Sequence, residues 1–395
     1  MIHVTALPRI DDALALVLRR VVPLGAEDVP VVEAAGRVLA ESARALGDLP
    51  PFDSSAMDGF AVRAEDTPGA LTVVGHSAAG KPETRELGPG EAIVISTGAV
   101  VPAGADAVVP VERTAGDVVV ERAAVGDNIR PRGGDVHAGA VVAQAGEVLR
   151  PTQLGALAAA GVATVRCRRR PRAAVLATGS ELRPPGETLA PGEIYESNTV
   201  LIGAQLASAG AEVTLLEHVG DDEQATRSAL ERGLDSDVLV TSGGVSVGPH
   251  DLVRAALAEL GAEEVFWRVA VKPGKPVAFA VRGGTLVFGL PGNPVSSLVG
   301  FELFVRPALL ALQGAADPGP AYLPARLGAP LRRNDQRDEL VRARTRVDAN
   351  AVVLEPLAGQ ESHMIVRSAA ASALVLVPRG AGALPEGAPV RYLRI

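Results

Sequence analysis

Residues 237–251 read DVLVTSGGVSVGPHD. An apolar run at 238–240, the mark of a buried strand, leads into hydroxyls, glycines and a carboxylate. Strand, glycine-rich turn and helix in that order are how an α/β protein builds an oxyanion site. The glycines let the backbone come close, the amides point into the turn, and the helix start adds partial positive charge. Ser242, Gly243, Gly244 and Ser246 would line such a turn, and the Asp251 carboxylate could hold Mg²⁺ against a phosphate. The same residues also suit a plain tight turn.

Other stretches carry comparable chemistry. The run 51–60, PFDSSAMDGF, sets Asp53 and Asp58 and two serines among small residues, as a capped loop or as a metal or polar-ligand site. Thr97 in 96–99 (STGA) follows a β run, and 130–135 (RPRGGD) pairs Arg130 with Asp135 in a basic glycine loop. Paired Arg donors match oxyanions, although a solvated surface loop has the same composition. Further on come 177–182 (ATGSEL) with Ser180 and Glu181, 194–198 (IYESN), Asp221-Asp222, 272–276 (KPGKP) with Lys272 and Lys275, and 289–294 (GLPGNP) with Pro291 and Asn293. One of Asp221 and Asp222 suits a helix N-cap. Carboxylates for Mg²⁺, lysines for phosphate and glycines for backbone approach together suit a phosphorylated or nucleotide ligand. The six histidines lack zinc-like spacing. Arg342, Arg344, Ser362 and Arg367 read as surface groups of a β domain, or as groups covering an anionic ligand from a partner subunit.

These residues need elements to hold them. A chain of 395 residues is too long for one ordinary core. With 47% hydrophobic but 3% aromatic residues it suits helices on parallel sheets, and 43 Gly and 30 Pro add turn-rich β parts. From 172 to 314 strands and helices alternate, which predicts a doubly wound α/β domain with ligands at the strand carboxyl ends. That topology brings Glu181, Asp221, Ser242, Asp251, Lys272, Lys275 and Asn293 to one sheet edge. Helices are expected at 9–20, at 152–160 closed by Gly161, and from Asn293-Pro294, with Pro307 kinking or ending the last. Residues 33–44 read as helical or mixed, and Ile10, Leu14, Val17 and Leu18 form one stripe.

The fold class is therefore multidomain α/β. The expected domains are a helical or mixed connecting region (1–48 and 143–171), an all-β insert (49–142), the α/β domain (172–316) and a small C-terminal β barrel (317–395). The net charge of −8 argues against nucleic acid, though a local basic patch could still bind an anion. The single Cys167 fits a reducing cytoplasm and no internal disulfide. Asp11 and Asp12 stand where the apolar part of a signal peptide would be, and no uninterrupted apolar run approaches membrane-spanning length, so neither export nor a membrane is expected.

Taken in order, PFDSSAMDGFAV (51–62), STGAVVPAGADAVV (96–109), NIRPRGGDV (128–136), ATGSEL, IYESN, TSGGVSVGPHD (241–251), VKPGKP (271–276) and GLPGNPVS (289–296) resemble the molybdopterin molybdenumtransferase family, MoeA, which includes the E domain of gephyrin. The likeness spans nearly the whole chain. It implies a MogA-like α/β domain in an elongated four-domain homodimer. It also implies Mg²⁺-dependent insertion of molybdate into adenylylated molybdopterin with release of AMP. Asp58, Thr97, Arg130 and Asp135 would come from the β insert, and Glu181, Asp221, Asp251 and Lys272 from the α/β domain, with Glu181, Asp221 and Asp251 on the metal. Thr97, Arg130, Ser246 and Lys272 would hold molybdate, and the glycine turn the pterin phosphate. The other subunit's terminal domain would close the cleft through Arg342 and Ser362. A separate protein would carry out adenylylation, and maturation proteins of molybdoenzymes would be downstream partners. The sequence departs from the family where Phe60 replaces a usual Tyr, Gly134 a usual Glu, and Glu196 a usual Asp. The alternative is a non-catalytic module, either a molybdopterin carrier or a gephyrin-like docking scaffold.

Overall fold

The computed structural model describes residues 7–116, 118, 119, 121–244, 252–348 and 351–395. Ser246 and Asp251 lie outside the described residues. The chain divides into two compact units: one takes the chain up to Glu27, Gly36–Ala40 and Arg168–Ile395, the other Asp28–Ala35 and Glu41–Cys167.

The second unit is built on a four-stranded sheet in the order Thr72–Ser77, Glu91–Ile95, Gly59–Val62, Ala107–Pro110. Alternation splits the strands between two cores. Val62, Ala92, Ala107 and Val109 face one, and Ala61, Ile93, Ile95 and Val108 face the other. The helix Pro151–Ala159 ends as expected before Gly161, whose φ of +83° terminates it. Residues 33–44 differ from the helical reading. They hold the end of a 3₁₀ turn, Val31–Glu33, and the short strand Ala43–Arg44, because Gly36 at φ +71° breaks the helical path.

The first unit holds a six-stranded sheet in the order Glu212–Val219, Arg172–Thr178, Val238–Ser242, Thr285–Leu290, Ala278–Arg282, Glu263–Trp267. The first four strands are parallel, Ala278–Arg282 runs antiparallel to them, and Glu263–Trp267 pairs antiparallel with Ala278–Arg282. These strands are apolar on both faces because helices cover both. Ala173, Val175, Val238, Val240, Leu286 and Phe288 meet Ile202 and Leu206 of the helix Asn198–Ser208. Ala174, Leu176, Leu239 and Val287 meet Ala229 and Leu230 of Glu223–Gly233. The first crossover runs from Arg172–Thr178 out to Glu212–Val219 over one face, and the second returns from there to Val238–Ser242 over the other, which makes a topological switch point between Arg172–Thr178 and Val238–Ser242.

The helix Ile10–Leu18 buries Ile10, Ala13 and Val17 in this same core. From Asn293-Pro294 an apolar run extends to Leu312; among the described residues it is the one helix long and apolar enough to span a membrane, but 83% of its most apolar window is buried inside the protein. Pro307 does not end it. A π turn at Phe301–Val305 absorbs the lost hydrogen bond, and Arg306–Leu312 continues as α-helix. Beyond it, Asp338–Asp348, Ala351–Pro356, Leu323–Leu327, Pro389–Arg394 and Ala373–Val377 pair in that order, and the last pairs with the first, closing a five-stranded barrel. Val341, Ala343, Ala373, Val375 and Val377 fill it, while Leu340, Leu374 and Leu376 point outward into the α/β core.

Candidate active site

At the carboxyl ends of the strands Arg172–Thr178, Val238–Ser242 and Thr285–Leu290 opens a cleft of about 390 Å³, lined by Thr178, Glu181, Leu182, Ile194, Asn198, Ser242, Gly243, Gly244, Pro276, Pro291, Gly292 and Asn293. Six of the expected binding residues line it: Glu181, Ser242, Gly243, Gly244, Pro291 and Asn293. The glycines are required by space. Gly243 has φ +91°, and a Cβ there would sit 2.7 Å from the Thr178 carbonyl oxygen. A Cβ on Gly244 would lie 2.5 Å from Val253. The floor is therefore bare backbone at the switch point, open to an anionic group.

Two carboxylates sit on neighbouring turns of this edge. Asp221 accepts from the Ser180 amide at 3.2 Å, and its own amide donates to Ser180 Oγ at 2.8 Å. Asp222 is the N-cap, accepting from the Ala225 amide at 2.7 Å, so Asp221 is the one left for other work. The exposed Glu181 carboxylate has no hydrogen-bond or ion-pair partner among the described residues. Among the described residues no three His, Cys, Asp or Glu side chains form a metal-binding group. Glu181 and Asp221 are two of the three expected, and Asp251 lies outside the described residues.

Two of the expected residues are already engaged, and a third lies elsewhere. Ser242 is buried and accepts from Asn198 Nδ2 at 2.8 Å. Lys272 is ion-paired to Glu339 at 3.0 Å. Lys275 does not line the cleft; it faces a second pocket beside it.

Asn198 went unnoticed in the sequence except as a helix start. Its Nδ2 also reaches the Gly292 carbonyl at 2.7 Å, and its buried Oδ1 has no hydrogen-bond partner among the described residues. An unmatched buried acceptor on a cleft wall is ready for a ligand donor. The run IYESN held it, but only the tertiary position distinguishes it from a cap. Glu196 does the capping: it is buried and accepts from the amides of Asn198 at 2.6 Å and Thr199 at 2.9 Å.

Arg342 corrects the reading of it as a surface group covering a ligand. It is fully buried, donating to the carbonyls of Met364 (2.6 Å), Gly359 (2.6 Å) and Glu361 (3.3 Å) and to Ser368 Oγ (2.9 Å). Burial holds its pKa below the ordinary arginine value. It points along the same barrel face as Leu340, and its partners are the loop 359–368. That loop carries Ser362 to the cleft rim of its own chain, where Ser362 Oγ accepts from Asn293 Nδ2 at 2.9 Å and its carbonyl accepts from the Val295 amide at 3.1 Å. The contact expected across a subunit boundary is made here within one chain.

In the other unit, Asp58 Oδ1 accepts from the Thr97 amide at 2.8 Å. Ser55 donates its amide to the Ala99 carbonyl at 3.0 Å, and Arg130 pairs in register with Ser54. Asp58, Thr97 and Arg130 are therefore gathered by three bonded segments, with all three side chains exposed. Asp135 follows on a turn tied by its amide to the Leu49 carbonyl at 2.9 Å.

Family comparison agrees with this layout. Residues 9–161 match the MoeA N-terminal region (domain I and II), 174–311 a probable molybdopterin binding domain, and 324–395 the MoeA C-terminal region (domain IV). The chain belongs to the MoeA family. It is 40% identical over 369 residues to molybdopterin molybdenumtransferase 2 of Mycobacterium tuberculosis, covering 89% of this chain and 90% of that one. With the molybdopterin molybdenumtransferase of Staphylococcus aureus it shares 32% over 390 residues, 96% of this chain and 93% of that one. The crystal structure of a molybdopterin biosynthesis MoeA protein from Pyrococcus horikoshii superposes with a TM-score of 0.80 at 32% identity, covering 99% of both chains. Membership places this MoeA chain among the transferases of molybdenum cofactor biosynthesis.

Proposed function

We propose that this chain inserts molybdate into adenylylated molybdopterin and releases AMP, with Mg²⁺. What carries the reading is the cleft at the switch point, where a bare-glycine floor faces an unpaired Glu181 in a chain of this family. The donor set fits Mg²⁺ in kind, because carboxylate oxygens are the ligands this ion takes and Glu181 keeps both of its own unspent. Glu181 and Asp221, with Asp251, would hold the ion. It would supply neutralisation of charge on the bridging phosphates as AMP leaves.

The chain's own residues account for the rest. Gly243 and Gly244 admit the pterin phosphate to backbone distance, and Asn198 Oδ1 takes a hydrogen bond from a pterin or ribose donor. Leu182, Ile194 and Pro276 give the ring system an apolar wall. In the β unit the Thr97 hydroxyl and Arg130 serve the molybdate and phosphate oxygens as donors, with the Asp58 and Asp135 carboxylates as the acidic members of the same group. Arg130 supplies paired donors, and Asp58 holds the Thr97 turn in place. Four domains at 1–48 with 143–171, 49–142, 172–316 and 317–395, a homodimer, a cytoplasmic location and a separate adenylyltransferase that supplies the adenylylated substrate complete the reading.

Purified protein incubated with adenylylated molybdopterin, Mg²⁺ and molybdate should release AMP stoichiometrically with cofactor formed. Tight pterin binding with no AMP would make the chain a carrier instead.

A further inference from the structure

On the far side of the 272–276 loop from the cleft lies a pocket of about 490 Å³, lined by Leu7, Ala270, Lys275, Asp335, Gln336, Arg337 and Arg379. Lys275, Arg337 and Arg379 bring three positive charges to it against the single carboxylate of Asp335. None of the three cationic side chains has a hydrogen bond or ion pair among the described residues.

Their backbones, by contrast, are firmly held. Asn334 Oδ1 accepts from the amides of Gln336 at 3.0 Å and Arg337 at 2.9 Å, and the Asn334 carbonyl accepts from Gly380 at 2.9 Å. The buried Asp338 accepts from the Arg379 amide at 2.8 Å. Arg333 donates to the carbonyls of Pro378 at 3.0 Å and Arg379 at 2.5 Å. On the opposite wall, the Lys275 carbonyl accepts from the Val269 amide at 2.9 Å. Neighbouring Arg333 and Lys272 are spent on structure, while these three cations are left free on pinned turns.

Like charges gathered on a rigid frame repel one another, and an anion between them relieves that repulsion. The excess of two positive charges matches a doubly charged oxyanion, and two guanidinium forks suit its tetrahedral oxygens. We propose that Lys275, Arg337 and Arg379 form a binding site for a tetrahedral dianion, separate from the pterin cleft. Free molybdate, inorganic phosphate and the terminal phosphate of a monoester share this chemistry.

The test is calorimetric titration of the full-length protein, without pterin, using molybdate, sulfate, inorganic phosphate and AMP as separate probes and chloride as control. Saturable 1:1 binding of at least one dianion is expected, weakening as ionic strength rises. Arg337→Gln and Arg379→Gln should each weaken it about tenfold or more, and Arg379→Lys should weaken it less. Circular dichroism melts of each variant show that it is folded. Which probe binds tightest identifies the source of the dianion. No saturable binding by the wild type, or equal affinity in the folded Gln variants, overturns the site. The proposal goes beyond the transferase reading, and the two fail separately: loss of AMP release leaves dianion titration intact, and loss of dianion binding leaves AMP release to be measured on its own.

Discussion

Arg342 is a cation without a carboxylate partner among the described residues, buried because four acceptors of one loop surround it. Removing it strands those acceptors away from water, and this cost exceeds any gain from burying an apolar group. Arg342→Met should lower stability by about 3 kcal/mol in urea unfolding. It should also release Ser362 from Asn293, so turnover of the folded fraction falls as well. Loss of activity at unchanged stability would instead mean that the guanidinium reaches substrate. The adjacent aspartates separate in the opposite sense. Asp222 caps a helix, so Asp222→Ala should cost about 1 kcal/mol and leave AMP release per folded molecule unchanged. Asp221 has one long bond to an amide, so Asp221→Ala should leave the melting temperature nearly in place and cut AMP release by at least about a hundredfold, the scale of a lost electrostatic group. Melts and AMP assays on both variants decide between cap and ligand.

Elements reach the site through their ends, and the strand Val238–Ser242 shows how. Asp237, just before it, takes Arg169 in a two-pronged pair at 2.7 Å on each oxygen and the Arg172 amide at 2.8 Å, fixing the strand beside Arg172–Thr178. Burial alone would raise its carboxyl pKa, but the Arg169 hydrogen bonds, the Arg172 amide and both positive charges hold it below the usual carboxylate range. A carboxylate depressed in this way adds its full stability above the ordinary value near 3.9 and loses it as pH falls through the lower folded value. Chemical unfolding should therefore show wild-type stability falling below about pH 4 more steeply than that of Asp237→Asn. At pH 7 the variant should be weaker by about 1–2 kcal/mol. These strands were legible in the sequence because helices on both faces demand unbroken apolar runs such as 238–240. The cleft's position followed from the alternation of strands and helices, and Asn293-Pro294 marked a helix start correctly. What was not legible depended on tertiary placement. Nothing local tells that Gly36 turns left-handed, that Arg342 occupies a buried barrel position, or that Asn198 leaves its Oδ1 unmatched. Lys275 stands in the same short motif as Lys272, yet the 272–276 loop sends Lys272 to Glu339 and Lys275 to a separate pocket.

At the scale of the whole molecule, both units carry polar groups with donors or acceptors unspent among the described residues: Glu181 in one, Asp58, Thr97 and Arg130 in the other. If all of these serve a single reaction, Asp58→Ala and Glu181→Ala should each cut AMP release by at least about a hundredfold while the melting temperature stays within a few degrees. A homodimer would elute at about 81 kDa by light scattering, twice the 40.4 kDa chain. Unfolding and refolding the two variants together would then give mixed dimers. A site that takes Asp58 from one chain and Glu181 from the other is intact once in each mixed dimer, so about a quarter of wild-type activity returns when the chains pair at random. A site built wholly within one chain regains nothing, because every chain then carries a lesion. The Ser362 loop already docks on the cleft rim of its own chain, so the C-terminal barrel and the α/β rim travel together. The mixing experiment therefore reports which chain supplies the β unit. Full activity in either single variant would remove its carboxylate from the reaction and leave it as a turn residue.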